Sequence, residues 1–307
     1  MRRGEVLGLV GESGCGKTTL GFTIAGLLGP GLEVTGGSVV FDGVRVVDAD
    51  TDDTASLRGA RIGFVPQDQF GALDPLVRIG RQLVRPLVLH RGMEEAAATD
   101  RIVELLGGLG VADPRSTLRK YPHEVSGGQL QRCLIASTLA PGPDLLIADE
   151  PTSALDVIVR AQVLDAFLRL VGELGAGVLL ITHDMGTVAE YATRVATMYA
   201  GRIVETGSTR EVFTSPRHPY VAGLLASIPR LDEAGGSSRR LHTIAGQPPP
   251  LPGELDACAF APRCPRAAHR CRVEEPLLEP DRAHAVECHY PLDGPPAEEA
   301  TGTEGTA

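Results

Sequence analysis

Lysine is almost missing from this chain: of its 29 basic residues only Lys17 and Lys120 are lysines, and the rest are arginines. A basic excess is missing too. The formal net charge is −10 and the isoelectric point near 5.3, which argues against a nucleic-acid surface as the main business, because a phosphate backbone asks for a basic footprint. A local basic groove stays open. No run of about 18 apolar residues occurs, so nothing reads as crossing a bilayer. The start, Met-Arg-Arg, soon meets Gly8, Gly11 and Glu12 and is not read as a signal peptide. A cytosolic chain follows as the expectation, and its six cysteines then read as reduced thiols or metal ligands rather than disulfides. Internal repeats and a long coiled-coil insertion are absent as well.

What is present is ample apolar material: 43% hydrophobic residues in a 307-residue chain, enough for one large domain and a smaller one. Val6 to Val10 is a short apolar run of the kind a buried strand needs, followed by a Gly-rich turn and a helix from about Gly16 to Leu27. Val39 to Val47 alternates around Asp42-Gly43, a hairpin signal. Further strands are expected at Ile62 to Val65, Leu145 to Ala148 and Val178 to Thr182. Residues of about 70–140 read as helical, broken at Pro75, Pro86, Pro114 and Pro122, and Val157 to Leu174 has a helical pattern. Strands alternating with helices predict an α/β fold with a parallel sheet covered on both faces. The domain boundaries expected are a main domain over 1–230, a Gly/Ser/Pro-rich linker over 231–254, a Cys-rich region over 255–291 and a disordered tail over 292–307.

The one lysine in a telling place is Lys17. Gly11-Glu12-Ser13-Gly14-Cys15-Gly16-Lys17-Thr18 fits the phosphate-binding pattern G-x-x-x-x-G-K-[ST] between a predicted strand and a predicted helix. Glycines let backbone N–H groups point inward around phosphates, and the helix N-terminus adds partial positive charge. Lys17 adds a compact full charge, the Thr18 hydroxyl is placed for Mg²⁺, and Thr19 extends the same turn. Leu145 to Ala148 ends in Asp149 and Glu150. That strand is expected beside the first one, bringing Asp149 to the metal and Glu150 to the attacking water, since adjacent strand residues point to opposite sides.

Ser126-Gly127-Gly128-Gln129, preceded by Val125 and followed by Gln131-Arg132, resembles the signature of the ABC ATPases, with Val125 where leucine is usual. Ser126 also suits the N-cap of a helix from Gln129 to Leu139. The resemblance covers about residues 4–230. It implies a P-loop NTPase fold with a helical subdomain, Gln67 as the Q-loop glutamine and a further Mg²⁺ contact, Ser153-Ala154-Leu155-Asp156 as the D-loop, and His183 as the switch histidine. Tyr121-Pro122-His123-Glu124, Met198 to Glu205, His218-Pro219-Tyr220 and Phe260-x-Pro262-Arg263-Cys264-Pro265 resemble the oligopeptide and dipeptide importer branch. That implies ATP and Mg²⁺, two permease subunits in the membrane, a companion or identical ATPase whose ATP meets Ser126 to Gln129, and indirectly an extracytoplasmic solute-binding protein. The place implied is peripheral, on the cytoplasmic face of the inner membrane, with no nucleic acid. The rival reading is a soluble ABC ATPase acting on nucleic acid or ribosomes.

Family members usually carry tens of residues before the first core strand, including an aromatic that stacks on adenine, and here no aromatic precedes Phe22. Either the start lies upstream or adenine is held less well. Cys258, Cys264, Cys271 and Cys288 form a cluster whose four soft thiols suit an iron–sulfur cluster or a tetrahedral zinc. The branch resemblance implies [4Fe–4S], while free thiols remain the third option. Cys15 reads as a loop filler and Cys133 as a buried helix residue.

Overall fold

Three parallel strands form the first sheet segment: β4 (Ile62–Val65), β5 (Leu145–Asp149) and β6 (Gly177–Ile181). Val65 lies opposite Ala148, and Asp149 opposite Ile181. All five residues of β6 are buried, and a strand covered on both faces must be a continuous apolar run, as Gly-Val-Leu-Leu-Ile is. The computed structural model describes residues 1–152, 157–228, 243–249, 256–279 and 282–293, with residues 157 and 158 described by backbone alone. Its chain divides into two compact units, Met1–Val6 with Thr18–Ile181, and Leu7–Lys17 with Thr182–Ala307.

Strand β1 spans Val6–Val10 and helix α1 Lys17–Ala25; in the first unit, the hairpin β2 (Val39–Phe41) and β3 (Val44–Val47) comes after α1. Its turn residues Asp42 and Gly43 both have positive φ, 53° and 79°, the backbone twist that an Asp-Gly hairpin turn supplies. The helical stretch runs through α2 (Ile79–Leu83), α3 (Arg85–Arg91), α4 (Glu95–Gly108), α5 (Pro114–Arg119) and α6 (Gly127–Leu139). Pro86 and Pro114 open helices in the first turn rather than break them, because the missing N–H is an orphan there anyway. Helix α7 spans Val157–Leu174, and its buried residues Val163, Leu164, Phe167 and Val171 recur at helical spacing. It packs on α6, which also packs on β4.

Strand β5 does not lie beside β1, contrary to expectation: its two neighbours are β4 and β6. Apolar runs of equal length carry no label for their partners, so adjacency was not readable from them.

The second unit is built on β1, which pairs in parallel with β7 (Arg194–Tyr199) after the short helix α8 (Met185–Tyr191). Strand β8 (Arg202–Ser208) then returns antiparallel, through Ala200 and Gly201, both at positive φ. So the sheet is mixed, where the sequence suggested parallel strands alone. Helices α9 (Thr209–Thr214) and α10 (Pro219–Ala226) follow. Beyond residue 255 come α11 (His269–Val273) and β9 (Ala285–Val286), and β9 adds a further antiparallel strand to β8.

Glu205, in β8, has no exposed surface. Its carboxylate accepts from the backbone N–H of Arg217 at 2.9 Å and of His218 at 2.7 Å, and from His284 Nε2 at 2.7 Å. His218 Nδ1 accepts from the Tyr220 N–H at 3.0 Å, and burial pulls the His218 pKa down to about 3. Unfolding frees that ring to take a proton near its ordinary pKa of about 6.5. The folded value is depressed, so the stabilising effect is complete above about pH 6.5 and is lost as pH falls toward 3, by up to about 1.4 kcal/mol per pH unit. Thermal unfolding from pH 7 down to pH 5 is expected to show a smaller loss in His218→Asn than in the parent; equal pH slopes would contradict this.

Candidate phosphate-loop and metal-contact site

Strand β1 ends at Val10, and Gly11 begins a loop that has almost no room. A Cβ at Gly11 would stand 2.1 Å from the Met198 carbonyl oxygen, so only glycine lets the two backbones approach. Gly16 adopts φ +101°, again a glycine conformation. The Cys15 carbonyl accepts from the Gly201 N–H at 2.9 Å, which fastens the loop to the turn between β7 and β8. The Cys15 thiol is buried and its pKa raised by that burial, as befits a filler. The Lys17 ammonium donates to the carbonyls of Gly11 at 2.8 Å and Glu12 at 2.9 Å, so its charge is folded over the loop. Ser13, Gly14 and Thr19 are exposed.

The next residue, Thr18, opens the metal-contact part in the first unit. Its hydroxyl donates to the Asp149 carboxylate at 2.7 Å, and Asp149 is only 2% exposed at the end of β5. A hydroxyl beside a buried carboxylate is a pair of hard oxygen donors, the chemistry Mg²⁺ takes. Glu150 does not continue the strand. Its φ is +47°, its N–H donates to the Ile181 carbonyl at 2.9 Å, and Pro151 follows. The alternation argument for its direction therefore fails. A left-handed backbone re-aims the side chain at a cost of about 1–3 kcal/mol, the kind of strain that collects at working sites.

Gln67 is exposed just beyond the end of β4. Because β4 and β5 are parallel, Gln67 leaves the sheet at the same edge as Asp149 and Glu150. Ser126 caps α6 reciprocally with Gln129: its hydroxyl accepts the Gln129 N–H at 3.3 Å, and Gln129 Oε1 accepts the Ser126 N–H at 3.2 Å. The helix thus begins at Gly127, earlier than the expected Gln129, with Gly127 and Gly128 in its first turn. The buried side chain of Gln69 approaches this turn. His183 is exposed, just past β6, in a turn where Asp184 accepts the Gly186 N–H at 2.9 Å and caps α8. Ser153, Ala154, Leu155 and Asp156 lie outside the described residues.

A family model described as ABC transporter matches residues 1–153. A second, described as Oligopeptide/dipeptide transporter, C-terminal region, matches residues 204–271. The chain is 44% identical to a putative peptide import ATP-binding protein of Brucella ovis, over 93% of this chain and 87% of that relative. The chain belongs to the ABC transporter ATP-binding family. This ABC ATPase is also 42% identical to the oligopeptide transport ATP-binding protein OppD of Salmonella typhimurium, over 95% of this chain and 86% of that one. A solved ATP-binding cassette, a dimer in a post-hydrolysis state bound to ADP and Pi, aligns with a TM-score of 0.61 at 30% identity, over 68% of this chain and 88% of that one. Among the described residues of the ABC ATPase, no helix is long and apolar enough to cross a membrane.

Three contacts of the loop were not foreseen. Glu12 is gripped by Arg263 through both carboxylate oxygens, and its N–H donates to the Tyr220 hydroxyl at 3.0 Å. Arg263 also donates to the Tyr199 hydroxyl at 3.3 Å. The branch motifs at 198–205, 218–220 and 260–265 were recognisable as motifs, but nothing local said that they meet.

Cys258, Cys264, Cys271 and Cys288 do line one cavity, together with His218, Phe260 and His289. Its volume is about 10 Å³, room for one water-sized body and not for a four-iron cube. Burial, with the neighbouring thiols adding to it, pushes Cys258 up to about 11 and Cys288 up to about 12. Among the described residues no group of three or more His, Cys, Asp or Glu is arranged to hold a metal ion. The iron–sulfur and zinc expectations are therefore not supported by the geometry.

The close approach at Gly11 generates a direct prediction. Gly11→Ala must push the loop away from Met198, at a cost of about 1–3 kcal/mol, and is expected to lower both the unfolding temperature and ATP affinity. Parent-like values of both would show that the loop has slack the structure does not show.

Proposed function

We propose that this chain hydrolyses ATP to ADP and phosphate and thereby powers a peptide importer. The observation that carries the reading is the 2.7 Å hydrogen bond from Thr18, next to Lys17, to Asp149 at the end of a buried strand. It joins the phosphate-loop helix to a carboxylate suited to Mg²⁺. The loop N–H groups and Lys17 would hold the β- and γ-phosphates. Thr18, Asp149 and Gln67 would hold Mg²⁺, which neutralises charge on those oxygens. Glu150 would polarise the attacking water, and His183 would contact the γ-phosphate. Ser126 to Gln129, a glycine-lined helix N-terminus, would meet ATP held by a companion or identical ATPase.

The peptide substrate class is supported by the relatives named for peptide import and by the match of residues 204–271 to a peptide-transporter region. Two membrane permease subunits, an extracytoplasmic solute-binding protein acting through them, and a peripheral place on the cytoplasmic face follow from this reading. The net charge of −10 disfavours the nucleic-acid alternative.

Glu150→Gln removes the base while keeping the size of the side chain. It is expected to bind ATP like the parent and to turn it over at under about a tenth of the parent rate. Turnover near the parent rate would take the water-activating role away from Glu150.

A further inference from the structure

A carboxylate is out of place in a loop that binds anions. Glu12 is the only acidic residue of Gly11 to Thr18, and an uncompensated negative charge there opposes the phosphates that backbone N–H groups and Lys17 attract. Arg263, far along the chain, answers it. Its Nη1 donates to Glu12 Oε2 at 2.8 Å and its Nη2 to Glu12 Oε1 at 2.9 Å, the two-pronged geometry that only arginine makes. The Arg263 side chain is 5% exposed, and it is itself held rigidly. Its Nε donates to the Ala245 carbonyl at 2.9 Å, Nη2 to the Ile244 carbonyl at 3.4 Å, and Nη1 to the Tyr199 hydroxyl at 3.3 Å. With the two bonds to Glu12, these account for all five guanidinium donors.

The grip is seated on a fixed base. Tyr199 and Tyr220 are fully buried, and Phe260 packs against both rings and against His218. The backbone of Glu12 is held from two sides, its N–H by Tyr220 and its carbonyl by Lys17. Arg263 thus carries a contact from the C-terminal region to the phosphate loop.

We propose that Arg263 is a positioning residue of the ATP site: by clamping Glu12 it fixes the first turn of the phosphate loop and cancels the loop's one negative charge. The inference rests on reading this loop as the ATP site. It gives the C-terminal region a role in nucleotide affinity separate from any role in holding partners.

The test is ATP affinity by calorimetry, with steady-state hydrolysis beside it, on the full chain. Arg263→Ala leaves Glu12 unpaired next to the phosphates. Its ATP Kd is expected to rise about tenfold or more, with KM following Kd and kcat at saturating ATP changing much less. The decisive variant is Glu12→Gln combined with Arg263→Ala, which also removes the stranded charge and is expected to regain at least about threefold of the lost affinity. A merely structural Arg263 predicts a double variant as weak as the single one, and that result would overturn the proposal, as would Arg263→Ala binding ATP like the parent. If Arg263→Ala does not fold, Arg263→Gln, alone and with Glu12→Gln, reads the same difference while filling more of the space. A parent chain that binds no ATP would instead overturn the reading of the loop itself.

Discussion

The hydrogen bond between the Thr18 hydroxyl and the Asp149 carboxylate is the constraint on which the metal-contact part of the site depends. A carboxylate 2% exposed at the end of an apolar strand is expensive without partners. Its position is fixed because β5 is paired on both sides, to β4 and to β6. Once Asp149 is fixed, Thr18 is fixed with it. Glu150 inherits the same anchor. Held by its N–H to the Ile181 carbonyl, it takes a left-handed backbone that a free chain would avoid.

Much of this was legible before any coordinates. The phosphate loop is a local device in which glycine spacing, lysine and threonine act within a few residues, so its pattern survives in one dimension. Strands at Val6–Val10 and Ile62–Val65 and the helix Val157–Leu174 have the bounds their apolar patterns suggest, because burial on both faces or on one stripe leaves a direct mark on composition. The hairpin at Asp42-Gly43 was equally plain, since its turn needs residues that tolerate positive φ.

What failed was long-range. Which strand neighbours β5 depends on sheet order, and apolar runs carry no address. The antiparallel turn at Ala200 and Gly201 was hidden, since alanine gives no warning of a positive φ. The four cysteines do meet at one cavity, yet its volume of about 10 Å³ leaves no room for an iron–sulfur cube. The contact of Glu12 with Arg263 spans a sequence separation of 251 residues, beyond the reach of any local pattern. It ties Arg263 of the C-terminal region to the loop of Gly11 to Thr18, where the sequence showed only a family motif.

Powering of peptide uptake by this site is tested most directly by placing the chain with its permease partners in sealed vesicles and measuring ATP hydrolysis with and without a peptide-loaded solute-binding protein. Hydrolysis is expected to rise with the loaded protein, and peptide accumulation to stop when ATP is withdrawn. Hydrolysis indifferent to the loaded protein, with no accumulation of peptide, would contradict it.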